Sequence, residues 1–332
     1  MPLPPGKLPP TLLRSLLRFR GTPDRRVVLG PAFGGDAAVI DLGSQFLILK
    51  SDPVTFTVDE IGWYAVNVNA NDVAVMGARP AWFQATIIVP QGSSPALVRS
   101  IVRDIDRSAR RLGIAVTGGH TEVSSAVRQP IVAGDMQGIV DRKGLITSSG
   151  AGVGDVIILT QSAGIEGTSI IARTFAREAR AALGTRGQSE AARFHHRPGI
   201  SVVAVALLAA GAGATSMHDP TEGGVAAGLY ELATASRRRF VIDLDRIPVH
   251  PHTARLCMHF GLQPLGLIGS GALLLTVPAA RADSLLLTLH RRRFPATSIG
   301  HVTSGRTGVT ALRGSKRVRF VWSQRDELTK LL

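Results

Sequence analysis

What this 332-residue chain lacks narrows its possibilities first. It has one cysteine, Cys257, which rules out an internal disulfide and any metal site built from several thiolates. No apolar run reaches the roughly 18 to 20 residues that span a bilayer. The opening stretch MPLPPGKLPP is proline-rich and has no apolar segment, so it reads as an unstructured lead-in and not as a secretion signal. A cytoplasmic protein with no membrane segment is the expectation. Aromatics are only 5% of residues, which leaves little for stacking on bases. Acidic residues number 24 against 38 basic ones, for a net charge of +14. The excess lies mostly in short runs: RRR at 237–239, RRR at 291–293 and RGSKRVR at 313–319. No recognisable nucleic-acid module surrounds them, so solvated helix ends and loops are expected there and nucleic acid is not expected as a partner. The positive field favours anionic substrates such as nucleotides. Yet no G-x-x-x-x-G-K-[ST] occurs, nor a G-x-G-x-x-G between a strand and a helix.

What is present fits two domains of ordinary size, with 45% hydrophobic residues to build their cores. The first half alternates strands and helices. AAVIDL and QFLILKSDPVTF read as strands, the second ending at Asp52-Pro53, and AWFQATIIVP as a buried strand. Residues 95–112 form the clearest amphipathic helix, stopped by Gly113. IAVTGGHTEVS reads as a strand running into a glycine turn. A break falls near 148–155. Beyond it come a strand, a glycine loop and a helix, then a polar loop at 184–199. Helices at about 200–211 and 223–235 follow, with strands at 240–244, 272–277, 296–302 and 317–322. The expected division is a lead-in at 1–24 and domains at 25–150 and 151–332.

One acid demands an explanation. Between Ile61 and Ala78 the chain reads as a helix, and Asp72 is its only charged residue. Ile61, Ala65, Val68, Asp72 and Val75 share one helical face, so the carboxylate interrupts a small, apolar stripe. Burying it unpaired costs several kcal/mol, roughly, and no lysine or arginine lies within two turns. Asp36 in GGDAAV, Asp52 in KSDP and Glu122 in GGHTE fall at strand ends or glycine turns, where α/β sheets present ligands. Together these carboxylates would hold Mg²⁺ bridged to phosphates, supplying oxygens where no lysine competes. DPTEGGVAAGL leads into a helix whose first N–H groups suit an anion. Cys257, on an apolar helix, reads as a packed thiol.

GDAAVI, KSDP, AVNVNANDVAVMGARP, TGGHTE and HDPTEGGVAAGLYELA occur in the order typical of the PurM-like superfamily, related to aminoimidazole ribonucleotide synthetase. The chain resembles this superfamily from about residue 27 to 303, and most resembles its hydrogenase-maturation branch, HypE. The resemblance implies a two-domain α/β (α+β) fold: an N-terminal sheet pairing into a dimeric barrel that binds ATP, and a C-terminal α/β sandwich. It implies Mg²⁺ ligands at Asp36, Asp52, Asp72 and Glu122, and catalytic roles for Asp52, Asp72, His120 and Asp219. Nucleotide contacts are implied at Lys50, Asn71, Gly118, Gly119, Thr121, Thr221, Gly223 and Gly224. The implied chemistry is ATP-dependent phosphorylation or dehydration of an amide- or carbonyl-type acceptor, in a homodimer with a maturation partner protein. The HypE branch carries a C-terminal cysteine tail, whereas this sequence ends SQRDELTKLL, so the acceptor is left open. A metabolite kinase of the thiamine-monophosphate kinase type and a non-catalytic nucleotide-binding protein are the alternatives.

Overall fold

A computed structural model of the chain describes residue 3 and residues 6–55, 57–323 and 325–331. Phe56, expected within the third strand, lies outside the described residues, as do 1, 2, 4 and 5 of the lead-in and 332 at the end. In chain order the elements begin α1 (Pro10–Leu16), β1 (Val27–Leu29), β2 (Ala38–Asp41), β3 (Gln45–Val54), α2 (Ile61–Val75), β4 (Arg79–Pro90), α3 (Pro95–Leu112), β5 (Ala115–Ser124) and β6 (Ile131–Asp141). They continue with β7 (Asp155–Thr160), α4 (Ile165–Thr174), α5 (Ala176–Ala192), α6 (Val203–Gly211), β8 (Ser216–His218), α7 (Gly224–Ala235) and β9 (Arg239–Asp243). The last are α8 (Pro251–Phe260), β10 (Leu274–Pro278), α9 (Ala279–Arg291), β11 (Ala296–Thr303), β12 (Gly308–Arg313) and β13 (Lys316–Val318). One compact unit holds Asp24–Gly30 and Asp36–Leu145, and the rest of the described chain forms the other. Among the described residues, no helix is long and apolar enough to cross a membrane.

In the unit of residues 24–30 and 36–145 the sheet order is β1-β2-β3-β6-β4-β5, antiparallel except for the parallel pair β4–β5. Helix α2 lies on β3, β6 and β4 and is covered on its other side by α3. Every residue of α2 except Val68 is therefore buried, not only the stripe that the spacing marks. A helix between two layers is buried on every face, so its polar residues must find partners inside the protein. The outer helix α3 is amphipathic by contrast: the Ser94 hydroxyl accepts the Leu97 N–H at its start, and Gly113 at φ 69° ends it.

Two expectations for this unit are corrected. Strand β3 runs through Asp52-Pro53 to Val54, with Pro53 opposite Ala133 of β6. Pairing with β2 stops at Leu49, so the strand is open on that side where proline lacks its donor. TGGHTE is not a turn but the middle of β5. Its register against β4 shifts near Phe83/Gln84, and a Cβ on Gly119 (φ 146°) would sit 2.2 Å from the Ala85 carbonyl oxygen. The glycine pair marks a bulge and a close backbone approach.

The second unit has a seven-stranded sheet, order β13-β12-β9-β11-β7-β10-β8, antiparallel except for β9–β12. Helix α7 packs on β8, β9, β10 and β12, and α9 on β7, β10 and β11. Helices α4, α5 and α8 enclose a separate apolar cluster that includes Ile171, Leu256, Cys257 and Leu328. The loop expected at 184–199 is largely α5, broken at Gly184. Its buried face is Ala179, Leu183, Gly187 and Ala191, where a single large apolar residue among small ones leaves no apolar stripe to read. The strand expected at 317–322 is only Lys316–Val318, and β12 and α9 had no counterpart in the sequence reading.

Candidate functional site

Asp72 meets a lysine. Packing of α2 on β3 brings the Lys50 ammonium to 3.2 Å from the Asp72 Oδ2 and 3.6 Å from the Asp52 Oδ2. The expectation of carboxylates with no competing lysine is thus overturned: the cation comes from a strand, not from the helix's own turns. Lys50 does not fully offset burial. Asp72 is pushed up to about 7, chiefly by burial; Lys50 pulls it down, and Asp52 and Asp36 push it further up. Asp36 is itself buried, whereas Asp52 is half-exposed.

Asn71 is fully buried in α2. Asn69, which the sequence reading passed over, does the positioning. Its Nδ2 donates to the backbone oxygens of Ala65 (2.8 Å) and Asp52 (3.2 Å), tying helix to strand beside the acids. The signal was its place three residues before Asp72, on the same helical face.

The remaining residues of this unit stand apart. Asp52, Gly134, Ala85 and Gly119 form one row across β3, β6, β4 and β5. Three strand spacings, roughly 14 Å, therefore separate Asp52 from Gly119. His120 and Glu122, on exposed β5 with Gly118 and Thr121, make their own pair at 3.2 Å. The structure brings Asp36, Lys50, Asp52 and Asp72 together and does not bring Glu122 to them.

Among the described residues, Asp36, Asp52 and Asp72 do not place one oxygen each within 4.8 Å of one another, so they form no closed metal cage. Mg²⁺ needs none: one or two protein carboxylates suffice, with water and substrate phosphates filling the other positions. A buried acid that its lysine leaves incompletely neutralised, next to a half-exposed one, fits that ion and its phosphates.

In the other unit, Asp219 is buried directly after β8 and Thr221 follows in the turn. The Thr221 carbonyl accepts the N–H groups of Gly224 (3.0 Å) and Gly269 (3.2 Å). Gly223 and Gly224 have φ of 78° and 60°, and a Cβ on Gly224 would lie 2.5 Å from the Leu267 carbonyl oxygen. The anion expected at the start of α7 is already supplied in part by the chain. Asp326 accepts the Gly223 N–H through Oδ2 (2.8 Å) and the Leu328 N–H through Oδ1 (2.8 Å). Burial raises Asp326 to about 6 against the pull of these backbone donors. Cys257 is buried and its thiol is pushed up to about 12, mainly by burial.

The profile of the AIR synthase related protein N-terminal domain matches residues 34–140, and that of the C-terminal domain matches residues 152–312. The chain belongs to the AIR synthase related family. Two relatives are each 30% identical to it. One is a Methanocaldococcus jannaschii protein named for hydrogenase expression/formation, aligned over 281 residues (82% of this chain, 81% of the relative). The other is the carbamoyl dehydratase HypE of Rhizobium leguminosarum bv. viciae, aligned over 280 residues (82% and 77%). Among solved structures, a HypE–HypF complex matches at 20% identity with a TM-score of 0.76, covering 94% of this chain and 99% of that one. Hydrogenase maturation protein HypE in complex with ATP matches at 23% identity with a TM-score of 0.69, covering 96% and 91%. These likenesses establish the two-domain PurM-like fold of the single chain.

Proposed function

We propose that this member of the AIR synthase related family is a Mg–ATP-dependent enzyme that activates an amide- or carbonyl-type oxygen, and that its substrate is a carbamoyl group to be dehydrated. The observation that carries the reading is the buried Asp72 held by Lys50 beside Asp52 and Asp36. The 30% identity to a carbamoyl dehydratase supports the choice of substrate. Of Asp36, Asp52 and Asp72, one or two would hold the ion directly and the others through water, and Lys50 would meet phosphate oxygens. When bound, Mg²⁺ neutralises charge developing on the transferred phosphoryl group and aligns the attack. Phosphorylation turns the carbamoyl oxygen into a leaving group, so water is lost as phosphate.

Asn69 keeps the strand carrying Asp52 in register with the helix carrying Asp72. On the resemblance, His120 and Asp219 are catalytic, the Gly223–Gly224 turn contacts nucleotide, and Glu122 is a further Mg²⁺ ligand, although within one chain it stands apart from the acids around Asp72. Cys257 is not the carrier of the carbamoyl group, because a buried thiol raised to about 12 is neither accessible nor a thiolate.

On this reading residues 25–150 bind nucleotide and pair into a homodimer in the cytoplasm, following the lead-in at 1–24, and residues 151–332 form the second domain. Exposure along β5, including Val116 and Val123, supports pairing at that edge. A maturation partner follows from the HypF seen with HypE.

The test is to incubate purified protein with Mg–ATP and an S-carbamoylcysteine peptide. The expected result is Mg-dependent phosphate release with loss of one water from the peptide, absent in Asp72→Asn. Phosphorylation of thiamine monophosphate without dehydration would move the chain to the kinase branch. Nucleotide binding without turnover of either compound would make it a binding protein.

A further inference from the structure

The basic run RGSKRVR is not absorbed by that chemistry. It folds as the end of β12, a tight turn and β13. The turn is pinned by Asp245, whose Oδ2 accepts the Gly314 N–H at 2.8 Å and whose Oδ1 lies 3.5 Å from the Arg313 Nε. Arg313 thereby has its carboxylate. Arg317 and Arg319 do not, and neither does Arg306 on the approach to β12: among the described residues no acid pairs with any of the three.

All three line one open cleft of about 620 Å³, together with Thr310, Tyr230 and Trp322. The Trp322 and Tyr230 rings are stacked at 3.6 Å between centroids and 16° between planes, which makes a flat aromatic wall. Guanidinium groups gathered without a counter-acid repel one another and attract an anion, and their planar forks match phosphate oxygens. The wall offers apolar contact to the body of a ligand. A cleft of this size lies within the roughly 300–1,000 Å³ range of small-molecule sites.

We propose that this cleft binds a small organic phosphate carrying at least two negative charges. Arg306, Arg317 and Arg319 hold the phosphates, Thr310 donates a hydroxyl, and the Tyr230–Trp322 wall supports the organic part. The low aromatic content and the opening of Arg306, Arg317 and Arg319 onto a single cleft favour a small molecule over a nucleic acid or an acidic polypeptide. This site belongs to the second unit and uses none of the residues assigned to Mg–ATP.

The experiment titrates the full chain with inorganic tripolyphosphate, followed by calorimetry and tryptophan fluorescence, with Trp322→Phe identifying the local signal. Saturable binding is expected, weakened at least about tenfold in the Arg306→Gln/Arg317→Gln/Arg319→Gln variant, since each lost charge-assisted contact is a strong one. The thermal shift with Mg–ATP should persist in that variant. If the triple variant folds poorly, the single Arg317→Gln variant at an exposed position reads the same effect. Equal affinity in wild type and variant would overturn the proposal and leave the arginines as guards of the sheet edge. Tighter binding of an oligoglutamate peptide than of tripolyphosphate would also overturn it, reassigning the cleft to an acidic protein segment.

Discussion

Asp72 and Asp326 are both buried aspartates raised above their usual range, yet they are held in opposite ways. Asp326 accepts the backbone N–H groups of Gly223 and Leu328, so it closes a turn. Asp72 has the ammonium of Lys50 instead, with two further acids close enough to push it higher. A carboxylate satisfied by backbone donors is architecture. One held by a single side-chain cation, and left incompletely neutralised, is open to exchange that partner for an ion or a phosphate-bearing ligand. The difference lies in the donors, not in the depth of burial.

The largest expected effect breaks the comparison if it fails. If Asp72 holds the ion as proposed, Asp72→Asn should weaken Mg–ATP binding by about a hundredfold, the upper end of what loss of even an outer-shell partner costs, while Asp326→Asn leaves it unchanged. Calorimetry on both variants decides, and equal losses would mean that the two acids play one role. Apo Asp72→Asn should be at least as stable as apo wild type, because burial outweighs Lys50 in setting its charge cost.

Next in size is Lys50→Met, which leaves Asp72 buried without its cation. A loss of about 3 kcal/mol or more in urea unfolding is expected, recovered when Asp72→Asn is added. A stable single variant would show that the ion pair holds nothing.

The same acid carries a pH signature. Its folded pKa, about 7, lies above the ordinary 3.8, so its contribution is fully present below about pH 4 and is lost as pH rises toward 7. Wild type should lose stability over that window relative to Asp72→Asn. Parallel pH profiles for the two proteins would remove the raised pKa from the account.

Asp326→Asn should cost about 1–2 kcal/mol, the price of one charge-assisted contact at the turn, with thermal unfolding as the measurement. Smallest is Cys257→Ser, about 1 kcal/mol for a hydroxyl placed in the α4–α5–α8 cluster, with ATP turnover retained. Lost turnover in the folded variant would restore a thiol mechanism.

Legibility followed the range of the forces involved. Helix α3 was readable end to end, because Ser94, its apolar spacing and Gly113 act within a few residues. The ends of β3 and the double glycine of β5 were misread, because Pro53 and Gly119 are permitted or required by the neighbouring strand. Helix α5 was missed because Ala and Gly faces bury well only against other helices.

The sequence by itself determined the motif order that marks the family, the helix bearing Asp72, and the need of that acid for a partner, since burial of a charge must be offset wherever it occurs. Tertiary structure alone decided which partner. Lys50 reaches Asp72, and Asp326 reaches Gly223 across 103 residues, only when packed elements bring their atoms within about 3 Å. Charge pairing and hydrogen bonding at that distance depend on geometry that composition and spacing do not encode.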